Sequence, residues 1–379
     1  MPELSRLPLA IVTVSLAAGC AAAHERDVPI RPAGPAPCLR WEPAGPVVVV
    51  SETTLEATHS VVAIRSADAV MVGWVGATGD GVIPYTFTFD VRALEWSGAP
   101  RGPITHPSTP TTGSDANIEL ASHGRFIGAL VSTARQFGEC RFLVLDEASL
   151  EQRAPAEFAG ADCGGLAADD EGFSFFTGPT LYRIDDAGAQ RGVRLGVADV
   201  GDRLWFAERR VLFDDDSFLV SLPWDALQHF DAQGNPLAPE VEQQELAMTA
   251  TRTGAVVLLD PHVLASSLAA RALDRDGRPT GDMYVLPGAG RNPTSLPRAV
   301  ASTREGDDVI AAWQHQDDEG VHVRVQALGP DAAPRADPVV ALTGVWPDEL
   351  VIVVERSGER ALLIVDAGSV MALPLACAR

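Results

Sequence analysis

Lysine is absent from this chain of 379 residues: all 29 basic side chains are arginine, set against 51 acidic ones for a formal charge of −22. A surface so short of positive charge does not neutralise phosphates, so nucleic acid is not an expected partner. The missing lysine reads as compositional bias and marks no site. The common signatures of catalysis are missing too: there is no G-x-S-x-G elbow, no H-E-x-x-H pair, no phosphate-binding glycine loop and no dinucleotide fingerprint followed by an acidic residue. Aromatic residues make up only 6% of the chain, too few to favour a carbohydrate-stacking platform. Apart from the first twenty residues there is no long apolar run, and no extended window keeps a helical period.

That one run has the three parts of an export signal. Met1 to Arg6 is a short polar start, Leu7 to Ala18 is largely apolar, and Ala17-Ala18-Gly19 brings small residues up to Cys20. This resembles the bacterial lipobox, with alanine where leucine is commoner. The resemblance implies a signal peptide over residues 1–19, cleavage before Cys20, a diacylglycerol on its sulfur and an acyl chain such as palmitate on the new amino group. It also implies a place in the bacterial cell envelope, on the outer membrane or facing the periplasm, with the membrane as a partner through that lipid. Several acyl chains hold far better than one, at about 0.8 kcal/mol per buried methylene. An uncleaved membrane helix fits less well, because even Leu7 to Ala23 is half small residues and His24-Glu25-Arg26-Asp27 stops it. An ordinary secretory signal with a chance cysteine is the other alternative. Residues 20–46 follow as a proline-rich spacer, with Pro29, Pro32, Pro35, Pro37, Pro43 and Pro46 favouring extended backbone.

From residue 47 to 379 short β-rich runs recur between Gly, Pro and Asp clusters: Val47 to Val50, Val61 to Arg65, Val70 to Val75, Tyr85 to Asp90, Phe126 to Val131 and Arg141 to Leu145. The class is all-β. An internal marker repeats, an apolar strand end and an acidic residue, then Gly three places on and often Pro two later. Its instances are Leu94-Glu95, Ile184-Asp185, Phe230-Asp231 and Leu273-Asp274, with weaker copies at Leu145-Asp146, Leu328-Gly329 and Val365-Asp366. The seven are spaced by 51, 39, 46, 43, 55 and 37 residues, each interval holding about four short strands. That is the size of a propeller blade, so the chain resembles a seven-bladed β-propeller, with six or eight blades the alternatives.

A closed ring brings the chain ends together, which pairs Cys38 with Cys377 across the seam. Cys140 and Cys163 then remain to join adjacent blades, and Cys20 is the odd one out. Trp74, Trp205 and Trp313 end apolar runs and read as core side chains of second or third strands. Glu95, Asp185, Asp231 and Asp274 read as turn formers, not calcium ligands, since no full calcium loop follows them. His315 and His322 face each other if a hairpin is centred between Asp318 and Glu319. Such a pair can share a metal, but no third ligand is nameable, so the reading is a solvated pair with no metal, and no catalytic residue or cofactor is expected elsewhere. The functional expectation is a non-enzymatic binding or scaffold propeller with a protein or small ligand on one face. The alternative is an envelope hydrolase or lyase using carboxylates or a metal in the central channel.

Overall fold

The computed structural model describes residues 37–51, 57–78, 85–107, 110–113, 115–134, 139–159, 163–169, 171–177, 180–185, 190–194, 209–212, 217–222, 226–242, 246–259, 268–287, 297–302 and 308–379. Two strands, β1 (Arg40–Pro43) and β2 (Val48–Val49), precede the first complete sheet. Six four-stranded antiparallel sheets then follow in chain order. Blade 1 is β3 (Ala57–Arg65), β4 (Val70–Thr78), β5 (Tyr85–Leu94) and β6 (Thr111–Gly113); blade 2 is β7 (Asp115–His123), β8 (Phe126–Ala134), β9 (Glu139–Asp146) and β10 (Gln152–Ala159). Blade 3 is β11 (Cys163–Asp169), β12 (Gly172–Thr177), β13 (Thr180–Ile184) and β14 (Gln190–Arg194); blade 4 is β15 (Arg209–Leu212), β16 (Phe218–Leu222), β17 (Ala226–Phe230) and β18 (Val241–Glu242). Blade 5 is β19 (Ala247–Ala250), β20 (Gly254–Leu259), β21 (Leu268–Asp274) and β22 (Pro279–Leu286); blade 6 is β23 (Arg298–Ser302), β24 (Val309–Asp317), β25 (Gly320–Leu328) and β26 (Val339–Thr343). The chain ends with β27 (Glu349–Val354), β28 (Arg360–Asp366) and β29 (Val370–Ala378).

The first strand of each blade touches the first strand of the next, from β3 through β7, β11, β15, β19 and β23 to β27, and β27 touches β3 again. The sheets therefore form a closed seven-bladed β-propeller. Second strands are sandwiched between neighbouring blades, which is why β12 (GFSFFT) and β20 (GAVVLL) are buried at every position. The apolar core lies between blades: Trp74 with Leu362 and Ile364 joins blades 1 and 7, and Trp313 with Val256 and Leu268 joins blades 5 and 6. Both tryptophans are fully buried, as expected; Trp205 lies outside the described residues.

The seventh blade departs from the expected layout. Its outer strand comes from the other end of the chain: β1 pairs with β29, Arg40 opposite Ala378 and Pro43 opposite Leu375, and β2 continues the pairing with Val48 opposite Ala372. The run at Val47 to Val50, expected to open the first unit, belongs instead to the last blade, and residues 40–43, expected within the spacer, form a strand of that blade. A four-residue strand ending in proline carries no period-2 signal long enough to read. The Val365-Asp366 marker ends a second strand, β28, whereas the other six end third strands.

Both expected disulfides are present. Cys38–Cys377, with Cα atoms 5.5 Å apart, pins β1 to β29, and Cys140–Cys163 links the third strand of blade 2 to the first strand of blade 3. Trp41, one residue inside β1, is buried in the core between blades 6 and 7.

The marker itself is a type I turn with a bulge. In three of its copies the N–H of Gly98, Gly234 or Gly277 donates to the carbonyl of Glu95, Asp231 or Asp274 at 2.8 to 3.1 Å, with φ near +80°. The proline then returns opposite the strand end, as in the Leu94–Pro100 and Phe230–Pro236 bridges. Two residues before the strand end a long side chain reaches a carbonyl ten residues on: Arg92 to Gly102, Gln228 to Ala238 and Gln326 to Ala336. In blade 6 Ala332 occupies the left-handed position at φ +64°.

Gly234→Ala should lower stability by about 1 kcal/mol, read from denaturant midpoints. Removing the Cys38–Cys377 bridge by Cys38→Ser with Cys377→Ser should cost about 4 kcal/mol by the same measurement, because the bond closes nearly the whole chain.

Candidate functional site

The innermost strands build a wall of polar side chains around the ring axis. Along β7, Ala116, Ile118 and Leu120 are buried between blades, so the alternation turns Asn117 and Glu119 the other way. These side chains tie each blade to its neighbour. Ser60 on β3 donates to Asn117 at 2.6 Å, Glu349 on β27 accepts the Val61 N–H at 2.7 Å, Arg298 on β23 donates to the Leu246 carbonyl at 3.3 Å, and Thr249 on β19 meets Ser302 on β23 at 3.2 Å.

Glu119 is the most perturbed group in this wall. A register shift between Gly164 and Ala167, with Gly165 at φ +67°, turns two successive N–H groups of β11 toward blade 2. The carboxylate accepts from Gly165 at 3.2 Å and Leu166 at 2.6 Å. Paired N–H groups of this kind form a small anion-binding concavity. Desolvation nonetheless pushes the carboxyl up to about 7, and the two donors only partly oppose it.

A second cluster lies at the tip of blade 6. The β24–β25 hairpin is centred between Asp318 and Glu319, so His315 stands opposite His322, as expected. The pair is not solvated, however. The two histidines are only 8% and 7% exposed, with their rings stacked at a centroid distance of 6.1 Å. Asp317 lies between them, accepting from Nε2 of His315 at 2.9 Å and from Nε2 of His322 at 3.2 Å. His322 Nδ1 meets Thr343 Oγ1 at 3.2 Å, and Arg324 approaches Asp317 at 3.8 Å. Burial, then the Arg324 charge, lower the pKa of His315, with Asp317 acting against them. Desolvation acts to raise the pKa of Asp317, but the Glu319 N–H and both imidazoles hold it below the ordinary value. Among the described residues no group of three such side chains converges to hold a metal.

A Ser-His-Asp row spans blades 4 and 5: His229 Nε2 lies 3.0 Å from Ser217 Oγ, and its Nδ1 lies 3.0 Å from Asp276. Its exposed end is the aspartate, and its serine is 4% exposed. That is the reverse of a relay offering a nucleophile to a substrate, and it acts as a brace between blades. The neighbouring acidic turns serve the backbone. Asp231 Oδ1 accepts from the N–H groups of Gln233 and Asn235, and Asp274 Oδ1 accepts from Arg278 at 2.8 Å. Cys20 lies outside the described residues.

No family profile matches the chain, and no curated protein matches it. Solved structures resemble it in fold. The WD40 repeats of RRP9 superpose with a TM-score of 0.54 at 12% identity, covering 87% of this chain and 97% of that one. U3-55K gives 0.55 at 13% identity, covering 86% and 98%. The β-propeller domain of Cps50 (Swd1) from Myceliophteria thermophila gives 0.52 at 12% identity, covering 88% and 100%. At such identity the likeness is one of fold alone.

Glu119 was not singled out from the sequence, although two signals bear on it: the polar alternation Asn117-x-Glu119 within an apolar strand, and the Gly164-Gly165 pair that forms the bulge. Its raised pKa means that between pH 4.5 and about 7 the folded chain keeps a proton that the unfolded chain releases. Melting temperature should therefore fall as pH rises through that window and level off above it. Glu119→Gln should flatten the dependence, as read by calorimetry across the pH range.

Proposed function

We propose that this chain is a bacterial lipoprotein, tethered to the cell envelope through Cys20, whose propeller binds a protein partner without catalysing a reaction. The observation that carries the reading is how the chain enters the ring. Cys38 sits two residues before β1, and three independent contacts hold that point: the bond to Cys377, the Cys38 N–H donating to Asp308 at 3.2 Å, and buried Trp41. Asp308 is itself paired with Arg335 at 3.2 Å. A pull along the preceding segment would otherwise peel a four-residue strand from the edge of blade 7. The bracing suits a domain held by its N-terminal side, and the lipobox resemblance at Ala17-Ala18-Gly19-Cys20 supplies the anchor.

The binding side follows from strand direction. Because β1 runs antiparallel to β29, the chain enters on the face that carries the third-to-fourth-strand turns. The opposite face carries the connections between blades and the second-to-third-strand hairpins. There Trp346 is 61% exposed, between Val345, which packs on the core of blades 6 and 7, and buried Pro347. An aromatic held out between two anchored neighbours loses little entropy on binding, which suits an interface anchor.

A second reading, an envelope hydrolase or lyase, is favoured by one observation, the Glu119 carboxyl poised near neutrality in the channel wall. Its two backbone donors and its position between blades favour a structural role.

Metabolic labelling with a fatty-acid analogue should mark the wild type in membrane fractions and leave Cys20→Ala unmarked. Equal labelling of the two, or none of either, contradicts the anchor. A photoreactive residue at position 346 should crosslink to one discrete partner in intact cells, and the same residue at exposed Ser97 on the entry face should not.

A further inference from the structure

Two histidines at the tip of blade 6 share one carboxylate but differ in what meets their other ring nitrogens. A carboxylate only accepts, so both Nε2 atoms carry hydrogen and both Nδ1 atoms are bare in the neutral state. The two Nδ1 atoms face different surroundings. That of His322 meets the Thr343 hydroxyl, which donates to it now and can rotate to accept. That of His315 is buried and has no partner among the described residues.

We propose that the His315–Asp317–His322 cluster is an acid-sensitive latch on the outer tip of blade 6, closed near neutral pH and opened by a proton on His315. Taking a proton from solvent at Nδ1 lets His322 keep every bond it has, with Thr343 reversing its hydroxyl. The same event at His315 places a buried N–H where none of the described residues accepts it, beside a second cation. Leaving Asp317, the ring reaches water only if the paired tip separates. Asp317 cannot compensate a full set of charges, since Arg324 already lies 3.8 Å from it and two imidazolium groups would set three cations on one carboxylate.

Among the described residues, the groups packed around the tip add no second buried anion. Asp318 and Glu319 sit in the exposed turn, and β26 carries no titratable residue. Arg298 on β23, opposite Trp313, donates to the Leu246 carbonyl, and Glu349 on β27 is taken by the Val61 N–H. Opening the tip would release the Gly344 N–H from the Val321 carbonyl, now 2.8 Å away, two residues before Trp346. The latch thus couples acidity to the seating of the exposed tryptophan without requiring that any partner be known.

The test is a titration of the purified chain with histidine labelled by nitrogen-15, combined with amide exchange. At neutral pH both rings should show the Nε2–H tautomer. On acidification the His315 ring should become imidazolium together with at least about tenfold faster exchange at Gly344, corrected for intrinsic rates. His315→Gln, whose amide can still donate to Asp317, should keep Gly344 protected down to about pH 5. An Nδ1–H tautomer on His315 at neutral pH, or tip opening in His315→Gln equal to wild type, would overturn the proposal. The tautomer measurement needs no variant, so it stands even if the substitution impairs folding.

Discussion

Everything in this ring depends on how it is closed. A propeller buries its apolar surface between neighbouring sheets, so no blade has a complete core until the last has met the first. Here the closing blade is assembled from both ends of the chain, three strands from the C-terminal side and the two short strands β1 and β2 from the N-terminal side, and a covalent bond holds the seam. The core between blades 6 and 7 takes Trp41 and Cys38 from one end, and Leu373 and Leu375 from the other. Losing β1 would expose that core and leave the edge of β29 unpaired, a liability for any sheet.

Polar side chains then perform a second kind of closure, between blades. Glu119, Glu349, Asn117 and Arg298 each spend a charge or an amide on a neighbouring innermost strand, and His229 with Asp276 does the same nearer the rim of blades 4 and 5. Their chemistry is that of catalytic groups, but their bonds are those of braces. Such links also set geometry: directional bonds to one donor or carbonyl fix the register of adjacent sheets, which apolar contacts alone do not. The tip of blade 6 uses the same device within one sheet, with the carboxylate shared by two rings, so it becomes the place where a proton changes the balance.

The repeat was legible because a type I turn with a bulge needs particular residues: an acid to cap the N–H groups, a residue tolerant of the left-handed region, and a proline that gives up no donor. Those needs recur at Asp231 and Asp274, with Glu95 taking the Ser97 hydroxyl in place of an N–H, so a seven-fold count emerged from turns rather than strands. The disulfides were legible for a geometric reason, since ring closure brings residues 38 and 377 together. The facing of His315 and His322 followed from the two-residue turn. The exchange of an outer strand between chain ends could not be read, because β1 has four residues and its partner is over three hundred positions away. The burial of the histidine pair and the role of Asp317 escaped for a similar reason: a charged turn looks solvated until the sheet twists its side chains inward. Glu119 is identified by a bulge in another blade, which no local pattern announces.

The most direct test of this account follows exchange along the whole chain before and after reduction. Hydrogen exchange with mass spectrometry on the oxidised protein should show β1 and β29 protected like the corresponding strands of the other blades. On reduction, protection should be lost first in Arg40–Pro43 and Val370–Ala378 and then spread to the facing surfaces of blades 6 and 1. If blade 7 kept its protection after reduction while blades 3 and 4 opened first, closure by the N-terminal strand would not be the constraint on which the ring rests.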